Sequence, residues 1–214
     1  MPSEPLYKED CMLAMMQSVV KGGACALRVA GARDVKNAKN NFKVPVIGLT
    51  KPDVIPPNWK QVVYITPTIK DAKSLIMAGA DVIAFDGTSR PRPEDNLKNI
   101  IKYIKINNKL AMADISTYEE GIAARSLGAD IISTTLSGYT QNSPNETDEP
   151  DFELVAKLTN ILDCPVILEG RVWTPEHVNK AFEVGAYSVV IGSAVTRPQL
   201  IVKRFNLGLK IKND

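Results

Sequence analysis

The chain reads as one α/β domain, residues 1–214, a wound parallel sheet with helical crossovers for which the TIM (β/α)8 barrel is the nearest architecture. Three observations predict this. Short β-branched runs alternate with longer segments of helical period. The runs are almost continuously apolar, as strands are when helices cover both faces of a parallel sheet. Helices leave by one repeated pattern, Ala78-Gly79-Ala80-Asp81, Leu127-Gly128-Ala129-Asp130 and Val184-Gly185-Ala186-Tyr187, in which glycine closes the helix and a strand starts at once.

Taken in order, a helix is expected over residues 8–21, then strands over 24–30, 44–49, 82–85, 110–115, 131–136, 165–168 and 188–191. Helices over 71–78, 96–107, 117–127, 151–162 and 175–184 each carry an apolar stripe and a charged face. A closed barrel of this kind has eight strands. Seven main runs and a helix at the start leave three possibilities: the first strand is missing, the short run 62–65 is recruited, or the sheet is open. The polar, acidic stretch 139–150 is expected to be a loosely ordered loop.

At 44% hydrophobic and 23% charged residues the chain can bury a core. Its net charge of +2 is spread among acids, without the basic, aromatic-interleaved stripe of a nucleic-acid binder. No apolar run reaches the ~18 residues of a membrane helix, and the start MPSEPLYKED lacks the layout of a signal peptide. Cys11, Cys25 and Cys164 read as separate buried thiols of a reducing compartment, so a cytoplasmic location is expected. With His177 the lone histidine, a metal site is not expected.

In wound parallel sheets reactive groups gather at the carboxyl ends of the strands. Those positions hold Arg28, Lys51, Asp86, Asp114, Thr134, Thr135, Ser137, Glu169, Arg171 and Arg197. The stretch LEGRVWTPEH, residues 168–177, is therefore a strand end opening onto an active-site mouth. Gly170 and Gly192-Ser193 follow the last two strands, where glycines let backbone N–H groups approach a phosphate and Arg197 adds charge. A phosphorylated small molecule is the implied ligand. A lysine in a dry pocket can lose its proton and act as a base beside a carbonyl, or it can form a Schiff base. The residues alone leave both open.

Several stretches are similar to one family: GGACALRVAG, PVIGLTK, YITPT, DVIAFDGTSRPRP, LAMADISTYEEG, ISTTLSGYT, PVILEGRVWTPE and GAYSVVIGSAVTRP. By these motifs the chain resembles the N-acylglucosamine-6-phosphate 2-epimerases, also called N-acetylmannosamine-6-phosphate epimerases. The resemblance implies a barrel, usually a homodimer, that uses no metal or cofactor. It implies interconversion of N-acetylmannosamine 6-phosphate and N-acetylglucosamine 6-phosphate in amino-sugar (N-acetylneuraminate) breakdown. It assigns Lys51 as the base at C2, Glu169 as its partner in ring opening or proton shuttling, and Arg28 and Asp114 as substrate-holding residues. Arg197, Gly170, Gly192 and Ser193 would bind the phosphate. Two departures stand out: the family's first strand, with its Cys-Gln pair, has no counterpart here, and Pro52 follows Lys51. The competing readings are a phosphosugar lyase or aldolase using Lys51 as a Schiff base, and a non-catalytic phosphosugar-binding protein.

Structural roles compete residue by residue. Arg171 is balanced between function and an ion pair with Glu169, Asp114 could cap a helix, and Asp86 is left undecided. His177 is expected on the surface. Met12, Met15 and Met16 are expected in the core or a dimer contact, and Trp59 and Trp173 in packing or lid contacts. The Lys-rich tail 203–212 is read as a solvated helix face.

Overall fold

The computed structural model describes residues 4–144 and 147–207. The chain winds through helix α1 (Glu9–Lys21), β1 (Leu27–Ala30), α2 (Ala32–Asn41), β2 (Val46–Leu49), α3 (Ile69–Met77), β3 (Val82–Asp86), α4 (Leu97–Ile106) and β4 (Leu110–Asp114). It continues with α5 (Tyr118–Ser126), β5 (Ile131–Ser133), the two-residue strands β6 (Tyr139–Thr140) and β7 (Ser143–Pro144), and α6 (Phe152–Thr159). β8 (Val166–Glu169), α7 (Pro175–Glu183), β9 (Ser188–Val190), α8 (Ser193–Thr196) and α9 (Pro198–Leu207) complete it. Among the described residues, seven parallel strands form one sheet in the order β1-β2-β3-β4-β5-β8-β9. The order follows the chain, so the sheet curls into a nearly closed barrel with its helices outside.

The helices form where the sequence caps them. Thr68 and Asp71 make a capping box at α3, Thr117 and Glu120 make another at α5, and Thr174 caps α7 ahead of Pro175. Gly79, Gly128 and Gly185 stop α3, α5 and α7 at φ of +96°, +103° and +94°, a region open to glycine. Alternation along each strand then sorts the side chains. Val46, Ile83, Phe85, Ala113, Ile132 and Leu168 face outward into the core shared with the helices. Ile47, Leu49, Val82, Ala84, Met112 and Ile167 face inward and fill the barrel. On α4 the i, i+1, i+4 set Ile100, Ile101 and Ile104 is fully buried, each worth about 1.5–3 kcal/mol relative to exposure.

β1 and β9 are the sheet's edges. The Leu27 N–H donates to the Pro45 carbonyl (3.0 Å) and the Gly31 N–H to that of Leu49 (2.8 Å), so the main chain of Arg28 and Ala30 faces away from β2. The Tyr187 N–H donates to the Val166 carbonyl (2.8 Å), so Ser188 and Val190 face away from β8. These two edges flank the seam where an eighth strand would close the barrel.

Several expectations are corrected. Residues 62–65 are not a strand: the Asp86 N–H donates to the Ile65 carbonyl (3.1 Å) and the Thr66 N–H to that of Thr50 (3.2 Å), so the run wedges between the ends of β2 and β3 with Val63 and Ile65 buried. The loop from residue 139 begins with an antiparallel hairpin, Tyr139–Thr140 against Ser143–Pro144. The cysteines are not buried: Cys25 is exposed, beside the open edge strand β1, and Cys11 and Cys164 are half-buried. His177 is half-buried, its Nδ1 accepting from the Trp173 N–H (3.3 Å) and its Nε2 3.1 Å from a Glu149 oxygen. Met16 is buried in the core and Met12 packs against it. Lys203 lies exposed on α9, while residues 208–212 of the Lys-rich tail lie outside the described residues. No helix is long and apolar enough to cross a membrane, and no metal-binding cluster exists, among the described residues.

Candidate active site

Alternation points every second side chain of each strand into the barrel, toward its carboxyl mouth near the strand ends. That geometry brings Arg28 of β1, Asp114 of β4 and Glu169 of β8 together. Arg28 Nη2 lies 2.6 Å from Asp114 Oδ2 and its Nε lies 3.1 Å from Glu169 Oε2. One guanidinium thus serves two carboxyls, with Asp114 fully buried. Arg28 Nη1 also reaches Met112 Sδ, 3.6 Å away in the layer below. Burial opposes the guanidinium's charge, yet Asp114 and Glu169 outweigh it and hold the Arg28 pKa above its ordinary value. Asp114 caps no helix, since Thr117 caps α5.

Lys51 follows β2. Its neighbour Thr50 is fixed from two sides: the Thr50 N–H donates to Thr66 Oγ1 (3.0 Å) and the Thr50 hydroxyl to Asp71 (3.1 Å). Pro52 keeps Lys51 extended. Lys51 opens onto solvent at the mouth of the barrel while protein crowds its remaining sides. That crowding lowers its pKa, as does the charge of Arg28 and, more weakly, of Arg197; Glu169 and Asp114 pull the other way. Burial pushes the Glu169 pKa up, against the pull of Arg28 and Lys51. Lys51 and Glu169 act on each other electrostatically, an ammonium made readier to give up its proton and a carboxyl made readier to take one, so the two groups are brought closer in proton affinity.

Gly170 at φ +110° and Arg171 at φ +57° turn the chain sharply after β8. The turn carries Arg171 away from Glu169, so the ion pair between them does not form. Instead Arg171 donates to the carbonyls of Glu149 and Ser137 (both 2.7 Å) and stacks on Tyr139, clamping the loop beside the mouth. Trp173 packs under Arg204 of α9. Gly192 and Ser193 begin α8 just beyond β9, and a side chain at Gly192 would meet no neighbour within 4 Å, so its backbone is open to a ligand. Arg197 lies within electrostatic reach of Lys51, but its guanidinium is 3.0 Å from Glu4.

Two further features were not readable residue by residue. Asp86, buried at the end of β3, pairs with Arg90, and Arg90 donates onward to the Trp59 carbonyl (2.7 Å). Asp86 therefore anchors the segment that follows Lys51, and its role is structural. The segment just past β5 supplies two hydroxyls: Thr134 Oγ1 accepts from the Glu169 N–H (3.2 Å), and Thr135 Oγ1 donates to Asp114 Oδ1 (2.8 Å).

Comparison with known proteins agrees with this fold. Residues 12–211 match a family described as "Putative N-acetylmannosamine-6-phosphate epimerase". A relative from Clostridium perfringens named in the same terms, as a 2-epimerase, is 45% identical over 97% of this chain and 92% of its own length. One from Caldanaerobacter subterraneus is 47% identical over 94% and 84%. The solved N-acetylmannosamine-6-phosphate 2-epimerase of Clostridium perfringens superposes with a TM-score of 0.91 at 43% identity, covering 98% of this chain and 90% of that one. Its likeness extends over the barrel that carries Arg28, Lys51, Asp114 and Glu169, and the chain belongs to the N-acetylmannosamine-6-phosphate epimerase family.

Proposed function

We propose that this chain interconverts N-acetylmannosamine 6-phosphate and N-acetylglucosamine 6-phosphate by moving the proton at C2. The observation that carries the reading is the cluster at the barrel's mouth in which Arg28 holds Asp114 (2.6 Å) and Glu169 (3.1 Å), with the Lys51 amine within electrostatic reach of all three. Glu169 assists opening of the sugar ring, which exposes the C1 aldehyde and acidifies the C2–H bond. Neutral Lys51 takes that proton, and the electron pair moves onto the aldehyde oxygen. Arg28 and the polar groups of the mouth stabilise the resulting enolate. A proton drawn from solvent is delivered to C2 on its opposite face to give the epimer, and Lys51 releases the proton it took to solvent, so the count closes.

The 6-phosphate is read onto the backbone of Gly170, Gly192 and Ser193 and onto Arg197. Arg197 must then share its charge with Glu4 or release it. The reading is tested by proton NMR of N-acetylmannosamine 6-phosphate in D₂O. The expected result is N-acetylglucosamine 6-phosphate bearing deuterium at C2. Product without deuterium, or no product beside undamaged, folded protein, overturns it.

Arg28 offers a second test. Lysine at this position keeps one positive charge but cannot hold two carboxyls in a fixed fork. Arg28→Lys is expected to lower kcat by roughly tenfold to a hundredfold, the equivalent of one hydrogen bond to a charged group. Steady-state kinetics together with a melting curve that stays within a few degrees of the parent would establish it.

A further inference from the structure

We infer that Thr135 is a positioning residue of this site, its one hydroxyl bridging the Asp114 and Glu169 carboxyls and fixing how the two share Arg28. The inference rests on the proposed epimerisation and deepens it. Thr135 lies two residues beyond Ser133 and on the same inward side, just past the end of β5, half-buried at the mouth. Its Oγ1 donates to Asp114 Oδ1 at 2.8 Å, and Ser133 Oγ lies 2.9 Å behind it. With Ser133 donating, the Thr135 proton is free for a carboxyl, and it can serve only one at a time.

The second carboxyl is Glu169. Its Oε2 is buried with no hydrogen-bond partner, although Arg28 Nε is 3.1 Å away in charge contact. The Thr135 hydroxyl is among the groups that hold the Glu169 pKa down against burial. The charged groups that act on Glu169 and Lys51 all have a part in the proposed reaction. Arg28 comes from β1, Lys51 from the segment after β2, Asp114 from β4 and Glu169 from β8, and Arg197 acts on Lys51 from beyond α8. A donor that can turn between two carboxyls lets Glu169 gain or lose a proton while Asp114 keeps its pairing with Arg28.

Thr135→Val preserves shape and removes the hydroxyl, and Thr135→Ser preserves the hydroxyl and removes the methyl. In Val, the titration midpoint of the Glu169 side-chain carbon, followed by carbon-13 NMR, is expected to rise. The kcat should fall about tenfold to a hundredfold, the loss of a hydrogen bond to a charged group, with KM within about threefold. Serine should restore both. Should valine fail to fold by thermal melting, Thr135→Ala serves for the same titration. A Glu169 midpoint unmoved in the folded valine or alanine variant overturns the inference, as does a serine variant no better than valine. Because the carboxyl titration needs no substrate, a parent chain inert toward the phosphosugar would overturn the proposed function while leaving Thr135 to be judged separately.

Discussion

Lys51→Met is expected to lower turnover by about a thousandfold or more, within the range that a positioned acid–base group supplies, while the melting temperature at neutral pH holds or rises. In the proposed reaction the amine takes the C2 proton, and methionine comes within one atom of its length without any proton affinity. The stability half of the expectation follows from linkage. The folded-state pKa of Lys51 lies below its ordinary value near 10.5, so between the two the unfolded chain binds the proton better. Stability then rises with pH across that window, and below the folded pKa the full penalty applies of holding an ammonium crowded by protein and, secondarily, beside Arg28 and Arg197. Methionine removes the penalty, so any gain should be visible at neutral pH and vanish above about pH 10.5. A coupled assay and melting curves at several pH values decide the matter. Near-full activity would remove Lys51 from the role of base. A marked fall in melting temperature would mean that its amine holds the loop through bonds the folded chain needs.

The strand ends that gather at the mouth were readable because one rule fixes them: in a parallel wound sheet, inward residues at the carboxyl ends converge. That rule found Arg28, Asp114 and Glu169, and the helix exits at Gly79, Gly128 and Gly185 supplied the winding. It could not choose partners. Glu169 and Arg171 are two residues apart, yet two successive left-handed residues, Gly170 and Arg171, send the arginine to backbone carbonyls on another loop. Helix α2 escaped notice for a different reason: in ARDVKNAKNN the buried residues are Asp34, Val35 and Ala38, too little apolar surface to make a stripe. Residues 62–65 looked like a strand because they form a short β-branched run, but the backbone at Ile65 and Thr66 bonds to the ends of two strands instead of pairing along one. The role of Thr135 was equally hidden, since a hydroxyl takes its meaning from the carboxyls that distant strands bring to it.

Asp86 shows what that blindness costs, and its replacement carries the largest expected effect on stability. Asp86 Oδ1 accepts from the Thr88 N–H (3.0 Å) and hydroxyl (2.6 Å), while its other oxygen pairs with Arg90. Arg92 donates to the Asp86 carbonyl and to that of Thr88, and its Nη1 is buried with no partner. The side chains of Arg90 and Arg92 are 4% and 10% exposed, so Asp86 is the anion that makes two buried cations tolerable. Asp86→Ala leaves Arg90 uncompensated and is expected to cost about 3–5 kcal/mol, a fall in melting temperature of roughly 6–20 °C for a chain of this size. Urea unfolding measures it directly. Replacing Arg90 as well, in Asp86→Ala/Arg90→Met, should recover part of the loss, because the second change removes the stranded charge. Activity should not recover with it. Arg90 is the residue that donates to the Trp59 carbonyl, and without that bond the segment following Lys51 is left tied to β3 only at its far end, through Ile65 and Thr66. Recovery of both stability and turnover in the double variant would mean that Lys51 is positioned by Thr50 and Thr66 alone.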